Sequence, residues 1–173
     1  MSAHNIIDLL KDEHAVVKKL FGIAADSQDS ERKDVLRLLK LELVTHARGE
    51  EKTVYSMLRL QLNQEHAAAE DILILNEAVE EHRLIDQLIQ ELEATGTSDE
   101  RWMARLHVLR ENVEHHIKEE EKDLFKLLKE HFSDERLVTL RSDYESAKEK
   151  YTEFLPSQTQ IGPWEQSSDM PLF

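Results

Sequence analysis

The chain predicts an all-α protein, an up-down-up-down four-helix bundle followed by one further helix and an irregular tail. Three observations point there. Charged residues make up 34% and aromatics only 6%, with four glycines and three prolines in 173 residues, a mixture that suits long amphipathic helices better than a sheet. Apolar residues recur at helical spacing along several long segments separated by polar breaks. A string of histidine and glutamate also appears twice at nearly the same interval, as expected of two similar helix pairs.

The first helix is expected from about Asn5, a good N-cap, to about Ala25, with Ile7, Leu10, His14, Val17 and Phe21 in one stripe. Asp26 to Ser30 reads as a turn, with Ser30 available to cap the next helix. The second helix, roughly Glu31 to Leu62, aligns Val35, Leu36, Leu39, Leu43, His46, Glu50 and Met57. Gly49 lies inside it and costs about 1 kcal/mol of helix propensity relative to Ala, which close helix approach or simple tolerance would explain. Asn63-Gln64-Glu65 is the expected turn. The third helix, about Ala67 to Glu93, aligns Leu75, Ala78, Val79, His82, Ile85, Ile89 and Leu92. Ala94 to Ser98 then supplies a C′ glycine and a new N-cap. The fourth helix, about Asp99 to His131, places Leu106, Leu109, Val113, His116, Ile117, Glu120, Leu124 and Leu127 together. A fifth, about Asp134 to Leu155, carries Leu137, Leu140, Tyr144, Ala147, Tyr151 and Leu155 at near-heptad spacing with no candidate ligand, and suits packing or homodimerisation. The expected organisation is therefore a bundle over residues 1–133, an additional helix over 134–155 and a proline-containing tail over 156–173. Ile161, Trp164, Leu172 and Phe173 suit the tail to docking on the body or a partner, or to dimer formation.

Composition narrows the function. A net charge of −14 disfavours nucleic-acid backbones and anionic membrane surfaces. The absence of cysteine excludes disulfides, thiolate metal sites, iron–sulfur clusters and thiol catalysis. The N-terminus lacks a basic region followed by an apolar run, and no stretch could span a bilayer, so a cytoplasmic protein is expected.

The repeated string carries the chemistry. His46-Ala47-Arg48-Gly49-Glu50-Glu51 returns as His116-Ile117-Lys118-Glu119-Glu120-Glu121. Asp12-Glu13-His14 stands 32 residues before His46, and Glu80-Glu81-His82 stands 34 before His116. One histidine in an apolar stripe is usually an ordinary core residue. Four of them, one in each of four helices and two joined by a glutamate four residues on, need another account, because buried unpaired charges cost several kcal/mol each. Residues four apart are stacked neighbours on a helix, so His46 with Glu50, and His116 with Glu120, reach a common centre. The helical phase selects His116–Glu120 over the equally spaced His115–Glu119, which points to the charged side. If both glutamates bridge two metals, they and the four histidines offer roughly eight donor atoms, about four per metal, which leaves positions open for a small molecule. Imidazole and carboxylate suit iron, and also manganese or zinc.

On these motifs the chain resembles the hemerythrin-like family of His-His-Glu cation-binding domains over about residues 5 to 131. The resemblance implies an oxo- or hydroxo-bridged non-haem di-iron centre, with His14, His46, His82 and His116 as terminal metal ligands and Glu50 and Glu120 as bridges. Oxygen-carrying members have a fifth histidine in a His-x-x-x-His pair of the third helix. Here Asp86 follows His82 by four and Ala78 precedes it by four, which argues against simple reversible oxygen carriage. Asp86 is expected to be solvated or salt-bridged. Glu51, Glu121 and Tyr55, beside the motif, are expected between helices or at the surface, with a supporting role around the metals as the alternative. His4, His66, His107, His115 and His131 are read as non-ligands.

The functional expectation is a protein that binds or reacts with oxygen, peroxide or nitric oxide at a two-metal centre, as sensor, scavenger or enzyme. The alternative is iron binding or storage, or a metal-dependent structural module without catalysis. A ferritin-like oxidase is disfavoured because no histidine has a glutamate three residues before it. A zinc protease is disfavoured by the lack of His-Glu-x-x-His.

Overall fold

The computed structural model describes residues 4–154 and contains, among them, only helices. They form five rods. The first is α1 (Ile6–Asp26). The second is α2 (Asp29–Gly49), a π-helical segment π1 (Glu50–Tyr55) and α3 (Ser56–Glu65). The third is α4 (Ala69–Glu93), and the fourth is α5 (Arg101–Glu119), π2 (Glu120–Leu124) and α6 (Phe125–His131). The fifth is α7 (Asp134–Phe154). The first four close a ring in which each rod packs on its two neighbours, with α3 and α6 also meeting across it, and α7 lies along the first and second rods. The tail residues Pro156, Ile161, Pro163, Trp164, Pro171, Leu172 and Phe173, and Leu155, lie outside the described residues. No helix among the described residues is long and apolar enough to cross a membrane.

The helix ends follow local hydrogen bonding. Asn5 caps α1 as expected: its side chain accepts from the Ile7 amide at 2.9 Å, while Asp8 reaches back to the Asn5 amide at 3.1 Å. Ser30 does not cap the second rod. Glu31 reaches back to the Gln28 amide at 3.0 Å instead, which starts the helix at Asp29. Asn63-Gln64-Glu65 stays helical, and the turn comes at His66, in the left-handed region with φ 53°. Gly96 is not a left-handed cap either, since no glycine has positive φ among the described residues. Thr95 closes the third rod by returning its amide to the Leu92 carbonyl and its hydroxyl to the Glu91 carbonyl. Asp99, accepting from the Arg101 amide at 2.8 Å, opens the fourth.

The largest departure from the expected continuous α-helices is the pair of π segments. Each begins at a glutamate of the repeated motif and wedges extra chain into the rod. In the second rod the buried face beyond it is displaced by one residue, while in the fourth the expected Leu124 and Leu127 stay buried beside Phe125 and Leu128. Met57 is only half-buried, and Val54, Leu58 and Leu62 take the inward positions.

The apolar core is divided into two clusters. One contains Ile6, Leu10, Leu58, Leu75, Phe125 and Leu140; the other contains Phe21, Leu39, Ile89, Trp102 and Leu109. Full burial of side chains of this size contributes about 1.5–3 kcal/mol each. A layer of buried polar residues lies in the bundle with them, supplied by all four ring rods.

Candidate metal centre

The structure brings all six expected residues into that layer. His14 comes from α1, His46 from α2, Glu50 from π1, His82 from α4, His116 from α5 and Glu120 from π2. Each is at most 6% exposed. They form two overlapping groups with converging donor atoms: His14, His46, Glu50 and Glu120 in one, and Glu50, His82 and His116 in the other. His14 Nε2 lies 3.2 Å from Glu120 Oε2, and His46 Nε2 lies 3.2 Å from Glu50 Oε2. His82 Nε2 is 3.4 Å from Glu50 Oε2, and His116 Nε2 is 4.0 Å from Glu120 Oε2.

The ring orientations follow from a second set of carboxylates. His14 Nδ1 meets Glu121 at 2.9 Å, His46 Nδ1 meets Glu13 at 2.8 Å, His82 Nδ1 meets Glu51 at 3.0 Å, and His116 Nδ1 meets Glu81 at 2.7 Å. Each imidazole is thus held by the preceding rod of the ring, with the fourth rod closing back on the first. A carboxylate opposite Nδ1 accepts its proton, which leaves the Nε2 lone pair directed inward. Glu51 and Glu121, 29% and 34% exposed, thus lie between rods as expected and also take the supporting role around the histidines. Tyr55, expected between helices or at the surface with a supporting role as the alternative, is buried, stacks on His82 at 5.4 Å and donates to Glu120 Oε1 at 3.1 Å. The repeat carried a signal for all four carboxylates, because Glu13-His14 recurs as Glu81-His82 and Glu50-Glu51 recurs as Glu120-Glu121.

Several buried polar atoms of this layer lack hydrogen-bond partners. His14 Nε2, His46 Nε2, both Glu50 oxygens and Glu120 Oε2 are buried with no hydrogen-bond partner. His82 Nε2 and His116 Nε2 face each other at 3.1 Å. With both Nδ1 protons given to carboxylates, two lone pairs meet there, which is repulsive unless a proton or a metal ion is shared. Imidazole nitrogens at about 2.0–2.1 Å from one ion have a separation near this value. Burial and the facing Glu120 carboxyl push Glu50 well above the usual carboxylate range, so a cation bound here competes with a proton. Burial brings His46 down to about 4 and also lowers His82, keeping both neutral as ligation requires. Burial opposes the charging of His14, but Glu120 and Glu121 outweigh it and raise its pKa. The donor set fits a metal.

The remaining candidates sit elsewhere. Asp86 pairs with Arg48, which also bonds Glu51 at 2.9 Å, so it braces the outer carboxylate of His82. His115 is 61% exposed and pairs with Glu119 at 3.3 Å on the outside, as the helical phase required. His4, His66 and His107 are exposed, and His131 bonds Glu65.

Tyr144 was not anticipated. The fifth helix delivers its fully buried ring against Gly49 and its hydroxyl to Glu13 and His46. A Cβ at position 49 would lie 2.7 Å from Tyr144 Cε2, so close approach is the reason for the glycine.

The comparisons agree with this architecture. A solved hemerythrin HHE cation-binding domain-containing protein from Mycobacterium kansasii superposes with a TM-score of 0.76 at 24% identity, covering 91% of this chain and 93% of that one. An uncharacterized hemerythrin-like protein of Schizosaccharomyces pombe is 25% identical over 68% of this chain and 54% of its own length. A protein of Nostoc sp. named DNA nickase is 23% identical over 89% of this chain and 42% of its own. The chain thus spans about half the length of the curated relatives it matches. The hemerythrin HHE cation binding domain model matches residues 5–128, and the chain belongs to that family.

Proposed function

We propose that this protein holds two iron ions, with His14 and His46 on one, His82 and His116 on the other, and Glu50 and Glu120 shared between them. We further propose that the pair binds or reacts with oxygen, peroxide or nitric oxide. The observation that carries the reading is the set of buried donor atoms without partners, facing one another across two groups that share Glu50. A bound iron pair supplies one-electron redox chemistry and open coordination positions. The residues of the chain supply the rest. The four outer glutamates fix the histidine rings, and Tyr55 holds one oxygen of Glu120. Phe125, stacked on His14 at 6.1 Å, gives the centre an apolar wall.

DNA nicking, named for the Nostoc relative, is not carried over. That relative extends well beyond the matched region, and a net charge of −14 opposes a phosphate backbone. The test is to add dioxygen or hydrogen peroxide to the reduced, iron-loaded chain. A change in visible absorption or peroxide turnover is expected. Unchanged spectra with no turnover would leave iron binding or storage as the function.

A further inference from the structure

We propose that the fifth helix is a working part of this centre, with Tyr144 as a positioning residue that fixes the Glu13–His46 pair and makes the two cation positions unequal. This rests on the two-cation reading above. The Tyr144 hydroxyl donates to Glu13 Oε2 at 2.5 Å and lies 3.1 Å from His46 Nδ1. Its ring meets the His46 ring edge-on, with centroids 6.3 Å apart. One turn further along α7, Lys148 Nζ reaches the other oxygen, Glu13 Oε1, at 3.0 Å. Glu13 is therefore held at both oxygens by α7, and the His46 ring inherits that orientation.

The symmetry-related carboxylate lacks such a clamp. Glu81 holds His116 at 2.7 Å through one oxygen, and its other oxygen faces only the exposed His115, at 3.7 Å, among the described residues. The repeat shows the same asymmetry from the partner side. The position matching Gly49 is Glu119, a residue directed outward. The small residue occurs only where a ring from α7 must be admitted. Carboxylates behind a metal-bound histidine contribute about 10–100-fold to metal affinity. Loosening one of them should weaken one cation and spare the other.

The experiment titrates manganese(II) into the chelator-treated full-length chain, read by calorimetry and by manganese EPR. The wild type is expected to take up two equivalents. In Tyr144→Phe one equivalent should weaken by about tenfold while the other is unchanged. Glu81→Gln should weaken one equivalent, and the double variant should weaken both. Lys148→Met, which disturbs Glu13 without touching the buried ring, should reproduce a smaller loss and decides the matter if Tyr144→Phe does not fold. If Tyr144→Phe or Lys148→Met alters neither equivalent or both equally, the positioning role is overturned. The unequal-site scheme falls if the double variant retains one equivalent at wild-type affinity. A wild type that binds fewer than two equivalents overturns the two-cation reading itself, and the inference with it.

Discussion

The two halves of the bundle are built from nearly the same string, yet they are finished differently. On the α1–α2 side, His46 is backed by Glu13, and Glu13 is covered by Tyr144 and Lys148 of the fifth helix. On the α4–α5 side, His116 is backed by Glu81, which has only the exposed His115 beyond it among the described residues. The consequence is electrostatic as well as steric. Burial alone would raise the Glu13 carboxyl, but His46, Lys148 and Tyr144 outweigh it and bring it down to about 2. A duplicated ligand pattern need not give two equivalent sites, because what lies one contact further out is not duplicated.

The largest expected effect removes the feature that the halves share. Glu50 belongs to both donor groups, so Glu50→Ala should abolish uptake of both cations. Its melting temperature should then be the same with and without metal. In the wild type, metal at 100 times its Kd should add about 2.7 kcal/mol of stability, which chelator removes. Equal wild-type melting curves with and without chelator would contradict this.

Next come substitutions that act on one half. His46→Ala and His82→Ala should each lose a single equivalent in metal analysis, and uptake of two by either variant would break the assignment. Matched substitutions at repeat-equivalent positions sharpen the contrast. Gly49→Ala forces a methyl group against the Tyr144 ring and should cost about 1–3 kcal/mol of unfolding free energy. Glu119→Ala, at the outward position of the other half, should stay within about 0.5 kcal/mol of wild type. Similar costs in denaturant melts would remove the difference between the halves.

The smallest effect is a proton count. Glu50 is raised by burial and by Glu120, and His14 is raised because Glu120 and Glu121 outweigh its burial, so both hold their protons to higher pH than they would in water. Cation binding must expel them, so apparent affinity rises with pH and falls as protons compete at lower pH. Calorimetric enthalpies in buffers of different ionisation heat should therefore differ. Buffer-independent enthalpies would contradict proton release.

Much of this was legible in the sequence because helical phase and ligand spacing are local properties. Apolar stripes at helical spacing located the rods, and the same phase put His14, His46, His82 and His116 inward and His115 outward. The π turns were not legible. They depend on how the glutamates seat in the assembled layer, and they displaced Met57 in favour of Leu58. The outer carboxylates had a signal in the repeat, but a helical wheel places Glu51 and Glu121 off the buried face. Only the neighbouring rod shows what they touch. Gly49 and Tyr144 are 95 positions apart, so no local pattern connects them.

The central claim is tested most directly by anomalous scattering at the iron edge from crystals of the iron-loaded chain. The account predicts two peaks inside the bundle, one beside His14 and His46, the other beside His82 and His116, with Glu50 and Glu120 between them. A chain that binds no iron there, or holds it only at the exterior group of Glu81, His115 and Glu119, would contradict it.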